Sequence, residues 1–105
     1  MEYTINGRTA AVSISGELDH HTLRDISREL RKVIDMYLPK KLIIDMKEVS
    51  FMDSSGIALI IGAVKRMQEL SGTVTLRDVP PAPMKIFMMA GINRYIHTEE
   101  GGKAI

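Results

Sequence analysis

Strand-like and helix-like patterns alternate along the chain, and this alternation constrains the fold more than any other feature. The run Lys41 to Asp45, KLIID, contains three consecutive apolar residues, which is typical of a short strand in the middle of a parallel sheet. Helical patterns flank it at about His20 to Leu38 and at about Ser54 to Leu70. The first pattern has apolar residues every three or four positions and ends at Pro39. Such an order requires crossover connections and a largely parallel sheet.

The flanking segments complete the predicted order. Asn6-Gly7 lies between two strand-like runs and favours a tight hairpin turn. The segment TVTLRDV predicts a strand, PPAPMKIFMMAG a helix ending at Gly91, and RYIHT a last short strand. The segment MKEVSFMD between KLIID and the second helix is interpreted as a loop. We therefore predict one α/β domain over residues 1–105, with a mixed, mostly parallel sheet of four or five strands, an N-terminal antiparallel hairpin and three or four helices.

Composition excludes several functional classes. The 105 residues include no cysteine, so neither disulfides nor cysteine-rich zinc sites are expected, and a reducing cytoplasm suits the chain. With 14 basic and 13 acidic residues mixed along the chain, the formal net charge is +1. A dedicated nucleic-acid surface normally shows a basic stripe, so direct nucleic-acid binding is not expected. No secretory signal is visible, and the longest apolar run, Ile57 to Ile61, is too short to span a membrane.

Two polar segments follow predicted strands, the tetrapeptide Asp53-Ser54-Ser55-Gly56 and the turn Gly16 to Asp19. Because function gathers at the carboxyl ends of parallel strands, these segments are expected to lie close together. Asp19 is also a candidate N-cap for the first helix. Asp53, Ser54 or Ser55 could serve as a plain helix cap, as a catalytic serine or as a phosphate acceptor. A helix N-terminus accommodates phosphate, but local physics does not choose between the two serines.

The catalytic alternatives lack the residues that they need. A nucleophilic serine requires a nearby base, and the elbow pattern G-x-S-x-G is absent around Ser54. His20 and His21 are adjacent, so on a helix start their side chains diverge by about 100° and do not converge on a metal. Asp45 follows a strand as a receiver aspartate does, but no acidic pair accompanies it. No nucleotide-binding motif is present, so the chain is predicted to carry no cofactor and no metal.

The helix that follows the serines is apolar on nearly every side. Ile57, Ile60, Ile61, Val64 and Met67 suffice for a core face, and Ala58, Leu59, Gly62 and Ala63 cover much of the rest. A helix of this kind is either buried on all sides or awaits a partner. Complete burial is hard to arrange in a chain of 105 residues. Both interpretations stay open on the sequence alone.

Three segments together resemble a known family. SGELDHHT, LIIDMKEVSFMDSSGIALIIGAVKRM and PAPMKIFMMAGINRYI are similar to the bacterial anti-sigma-factor antagonists, which are stand-alone STAS domains. The resemblance extends from about Thr9 to His97 and is nearest to the sporulation-type antagonists. Family members often carry a further C-terminal helix, but Gly101-Gly102 disfavours a helix that crosses these residues.

The resemblance implies a regulated binding protein and not an enzyme. In that family the unphosphorylated antagonist binds an anti-sigma factor that is also a serine kinase, and the sigma factor is released. The kinase, with its own ATP and magnesium, phosphorylates the serine after the motif aspartate, which is Ser54 here, and a serine phosphatase reverses the modification. The implied contact residues are Gly16, Glu17, Leu18, Asp19, His20, His21, Asp53, Ser55, Gly56, Ala58, Leu59 and Gly62. Two alternatives are a constitutive STAS scaffold or transport accessory subunit, and a small hydrolase that uses Ser54.

Overall fold

The computed structural model describes residues 1–101 and shows a five-stranded sheet with three α-helices. The strands lie in the sequential order β1 to β5; β1 and β2 pair antiparallel, and all other neighbours pair parallel. This arrangement confirms the predicted fold class. The elements are β1 (Glu2–Asn6), β2 (Thr9–Leu18), α1 (Leu23–Tyr37), β3 (Lys41–Met52), α2 (Ser55–Glu69), β4 (Thr73–Arg77), α3 (Pro81–Met89), a 3₁₀ helix (Ile92–Arg94) and β5 (His97–Glu99).

The N-terminal hairpin forms, but its two turn residues are Gly7 and Arg8, one position later than the predicted Asn6-Gly7, because Asn6 is the last residue of β1 and pairs with Thr9. Gly7 adopts φ 61°, the left-handed conformation that a tight two-residue hairpin requires and that glycine tolerates without a Cβ clash. Pairing begins at Asn6 with Thr9 and continues in one register to Glu2 with Ser13. The hairpin thus places β1 at the edge of the sheet.

One contiguous apolar core lies between a face of the sheet and the helices. Alternate residues of the three central strands point into it, as the period of a strand requires. The strand residues are Ala10, Val12, Ile14, Leu42, Ile44, Met46, Val74 and Leu76, and the helix residues are Leu30, Val33, Ile34, Leu59, Ile60, Ala63, Val64, Met67 and Phe87. Since all three helices contribute buried side chains to this one cluster, the core fixes α2 against the middle of the sheet.

Several boundaries differ from the sequence-based expectation. Helix α1 begins at Leu23 and not at His20, because the Asp19 carboxylate accepts the backbone N–H groups of His21 and Thr22 at 2.9 and 3.1 Å and holds these residues in a turn. The last strand begins at His97, after the 3₁₀ helix, and not at Arg94. The interpretation of MKEVSFMD as a loop is wrong. Residues 46–52 continue β3, because β2 also continues and pairs with them as far as Leu18 opposite Met52.

The buried face of α2 also corrects a prediction. Leu59 and Ala63 are buried in the core, whereas Ile61 is 42% exposed. The expectation of a further C-terminal helix and its interruption at Gly102 concerns residues beyond 101, which lie outside the described part of the chain. No helix within residues 1–101 is long and apolar enough to cross a membrane.

Candidate functional site

The two polar segments meet where β2 and β3 end. Leu18 lies opposite Met52 at the end of the strand pair, and the N–H of Asp53 donates to the Leu18 carbonyl at 3.2 Å. Asp53 therefore begins the connection to α2 beside the residue that precedes Asp19. The structure confirms that the turn after β2 lies next to the start of α2, residues 53–56, which we call the mouth of α2.

Asp53, rather than either serine, provides the carboxylate cap of α2. Its Oδ1 accepts the backbone N–H of Ser55 at 2.8 Å, and its carbonyl accepts the N–H of Gly56 at 3.1 Å. The Ser55 side chain also acts to lower the pKa of the Asp53 carboxylate. Ser54 occupies the N-cap position, but its side chain is exposed and makes no capping hydrogen bond. The hydroxyl of Ser54 is thus presented to solvent at the start of the helix, while Ser55 is half-buried.

Hydrogen bonds keep the carboxylates of this site ionised. Bonds from the Ser55 backbone and side chain lower the pKa of Asp53, and partial burial opposes them. The Nδ1 atom of His20 lies 3.8 Å from Asp53 Oδ2 and lowers this pKa further. Burial acts to raise the pKa of Asp19, but hydrogen bonds from Thr22 and His21 outweigh it, and the net shift is downward. Two carboxylates therefore bear negative charge close to Ser54.

The residues considered for catalysis or metal binding have structural partners. The rings of His20 and His21 have their centroids 3.9 Å apart and are tilted by 38°, so the expected divergence of the two side chains is wrong: both residues precede α1 and lie in a turn, not on a helix. The Asp45 carboxylate accepts the backbone N–H of Lys47 at 3.0 Å, as a strand carboxylate commonly does. Within residues 1–101, no three histidine, aspartate or glutamate side chains are grouped as metal ligands.

The predicted contact residues divide by their exposure. Leu18 and Leu59 point into the core, and Gly56 is buried, with a Cβ there 2.3 Å from the Met52 Sδ atom. The side chains of Leu18 and Leu59 are thus turned away from the surface of the domain, and a contact through any of these three residues stays a prediction. The exposed or half-buried residues are Gly16, Glu17, Asp19, His20, His21, Asp53, Ser55, Ala58 and Gly62. They come from two segments, the end of β2 with the turn after it and the start of α2 with its outer side.

Two large apolar residues beside the site are exposed: Phe51, which was not predicted, and Ile61, which was expected in the core. Phe51 is 54% exposed on β3 and lies opposite Glu17 in the strand register. Ile61 lies seven residues after Ser54, so it is on the same side of α2, two turns further along. The signal for Phe51 was the alternation with its buried neighbour Met52, which becomes visible only when this segment is recognised as a strand.

Comparison with known proteins agrees with this architecture. Residues 1–101 match the model of the STAS domain. An anti-sigma F factor antagonist from Paenibacillus polymyxa is 32% identical over 77% of this chain and 69% of its own length. A protein of the same name from Lysinibacillus sphaericus is 27% identical over 88% of this chain and 79% of its own length.

Solved structures agree as well. The unphosphorylated form of the anti-sigma factor antagonist SpoIIAA matches with a TM-score of 0.79 and 26% identity, over 92% of this chain and 85% of that chain. The phosphorylated form of the Bacillus protein SpoIIAA matches with a TM-score of 0.72 and 26% identity, over 92% and 88% of the two chains. The chain belongs to the STAS domain family.

Proposed function

We propose that this chain is an anti-sigma-factor antagonist whose binding to a kinase-type anti-sigma factor is switched off by phosphorylation of Ser54. Its unphosphorylated form binds the anti-sigma factor and releases a sigma factor, so the chain regulates transcription without contacting nucleic acid. The kinase supplies ATP and magnesium, and a serine phosphatase restores the binding form. Such partners act in the cytoplasm. The names of the two relatives support the antagonist role.

The observation that carries the proposal is that Asp53, and not Ser54, supplies the capping hydrogen bond at the start of α2. Asp53 caps the helix at 2.8 Å from the Ser55 N–H, so the exposed Ser54 hydroxyl is not needed for the fold. A hydroxyl that is exposed and unengaged is accessible to a kinase. The positive end of the helix dipole favours a phosphate at this position. Modification of Ser54 therefore leaves the domain folded, as a reversible switch requires.

The switch acts through charge at the interface. A phosphoserine brings about −1.5 to −2 charge units at neutral pH. The phosphate would add its charge to the ionised carboxylates of Asp53 and Asp19. The pKa of both carboxylates is lowered, that of Asp53 by hydrogen bonds from Ser55. If a partner covers this site, the added charge is desolvated or meets acidic groups. A penalty of about 3 to 5 kcal/mol would weaken binding by roughly 10² to 10⁴.

The experiment compares three variants for binding to the cognate anti-sigma factor and for phosphorylation by it. Ser54→Ala should bind as the unmodified chain does and should accept no phosphate. Ser54→Asp should bind more weakly, although one carboxylate carries less charge than a phosphate. Ser55→Ala is the matched control: it removes the neighbouring hydroxyl but should still be phosphorylated. Calorimetry measures the affinities, and mass spectrometry locates the phosphate.

Each alternative gives a different result. Phosphate found on Ser55 alone would reject the assignment of Ser54. Equal affinities for Ser54→Asp and the unmodified chain would indicate a constitutive STAS scaffold or transport accessory subunit. Ester hydrolysis that disappears in Ser54→Ala would indicate an enzyme. A pull-down from the source cell with and without ATP tests the partner class directly, because ATP should reduce the amount of kinase recovered.

A further inference from the structure

The outer strand β1 has the features of a self-pairing edge. Within residues 1–101 its only strand neighbour is β2, so its second side is free. Edge strands of soluble proteins commonly carry lysine, proline or a bulge that prevents pairing. The sequence of β1, EYTIN, contains neither lysine nor proline, and its five pairs with β2 keep one register. The other edge, β5, has only three residues.

The hairpin register shows which backbone groups are free. Residues that flank a two-residue turn form a hydrogen-bonded pair, and bonded and non-bonded pairs then alternate. Counting from Asn6 with Thr9, the backbone groups of Glu2, Thr4 and Asn6 point toward β2. Those of Tyr3 and Ile5 therefore point outward from the sheet.

We propose that β1 pairs with β1 of a second copy of this chain, antiparallel and about a twofold axis at Thr4. This register puts Tyr3 opposite Ile5 of the second copy, and both residues have outward-pointing groups. Two such residue pairs form across the axis, and each exchanges two hydrogen bonds. The backbone of this strand is thus complementary to itself in one defined register.

The side chains agree with this register. Thr4 meets Thr4 of the second copy, a cross-strand pair that is favourable in sheets. Glu2, the strand's only charged residue, lies opposite Asn6, so no like charges face each other. Beside the strand is a crevice lined by Met1, Tyr3, Glu29, Lys32, Val33 and Met36. Met36 is 69% exposed there, and the second copy would cover it.

The crevice carries charges of both signs. The Glu29 carboxylate lies 3.4 Å from the Met1 ammonium, and Lys32 adds a second positive group. A twofold axis presents the same groups in the reverse order, so each copy brings both a carboxylate and ammonium groups to the contact. The proposed pairing leaves the mouth of α2 free, because β1 pairs with β2 only as far as Ser13, whereas the site begins at Gly16.

The absence of cysteine from the sequence allows a direct test of the register. At Thr4 the two Cα atoms would be about 4.5 Å apart, within disulfide range. At Glu2 the two positions would be about 14 Å apart along the strands, beyond that range. Under mild oxidation Thr4→Cys should form a covalent dimer roughly tenfold or more faster than Glu2→Cys. A mixture of Glu2→Cys and Asn6→Cys should give the mixed dimer.

Sedimentation velocity tests the association without cross-linking. The mass of the unmodified chain should rise from 11.7 kDa toward twice this value as its concentration increases. Thr4→Lys should stay monomeric, because two lysines would meet at the axis. Thr98→Lys, with the same change on the opposite edge strand, is the control and should still associate. A chain that is monomeric at every concentration, or equal cross-linking rates for Thr4→Cys and Glu2→Cys, would overturn the proposal.

Discussion

Replacing Gly62 by alanine should make the fold more stable. Gly62 is the eighth residue of the 15-residue helix α2, and it is exposed. A Cβ built at this position meets no atom within 4 Å. Glycine in the middle of a helix costs about 0.5–1 kcal/mol relative to alanine, because its backbone loses more conformational freedom on folding. Nothing in the packing of the chain offsets this cost.

The expected gain is therefore about 0.5–1 kcal/mol in the free energy of unfolding. In urea unfolding the midpoint should rise by about a few tenths of a molar with an unchanged m-value. The melting temperature should rise by roughly 2–6 °C for a domain of this size. A midpoint that falls instead would refute the reasoning, because it would mean that a side chain at this position is strained or obstructed.

Gly72 provides the matched control within the same chain. A Cβ at Gly72 would lie 2.7 Å from the Lys40 carbonyl oxygen and 2.6 Å from the Met67 Cε atom. The Lys40 oxygen accepts the N–H of Thr73 at 2.9 Å, so it cannot retreat without disturbing the start of β4. Gly72→Ala should therefore destabilise the fold by about 1–3 kcal/mol. The same chemical change has opposite signs at the two glycines.

The two alanine variants also separate stability from binding. Gly62 lines the groove between α1 and α2 and belongs to the proposed partner surface. An added methyl group there would hold a partner helix or loop away from the backbone of α2. Gly62→Ala should thus be more stable and yet bind the anti-sigma factor more weakly. If calorimetry gives an unchanged affinity, Gly62 lies outside the interface, whatever the effect on stability.

Two further predictions concern the core and the cap. Ile44 is fully buried on the central strand β3, so Ile44→Ala should lower the free energy of unfolding by about 2–5 kcal/mol, measured in urea. The pKa of Asp53 is lowered from 3.8 by hydrogen bonds from Ser55, so its stabilising effect is present above that value and is lost as pH falls through the folded-state pKa. Between neutral and acidic pH the melting temperature of Asp53→Asn should consequently fall less than that of the unmodified chain; equal falls would contradict the capping role.

Local signals made much of the fold predictable. The hairpin turn that begins at Gly7, the stop at Pro39 and the left-handed Gly91 after α3 each depend on the backbone preferences of one or two residues. The burial of Leu42 and Ile44 follows from the apolar run of a central strand. Such signals act within a few residues, so they persist whatever the rest of the chain does.

The orientation of α2 was predicted only in part. Ile60, Val64 and Met67 of the predicted core face are buried, but apolar residues surround this helix, so its period does not fix which side packs on the sheet. The structure buries Leu59 and exposes Ile61, although both are large and apolar. Tertiary contacts at the start of the helix, among them the hydrogen bond from the Asp53 N–H to the Leu18 carbonyl, are not visible in the local sequence pattern.

The unexpected length of β3 explains why the site protrudes. Pairing of β3 with β4 ends at Asp45 and Arg77, whereas pairing with β2 continues for seven more residues to Met52. Register shifts between Ser13 and Ser15 and after Gly16 mark this extension, and such bulges increase strand twist. Beyond β4 the sheet is thus a twisted two-stranded ribbon that bears the turn after β2 at its tip. A shorter β3 would start α2 level with the end of β4; the ribbon instead carries the exposed Ser54 beyond the sheet, where another protein can reach it.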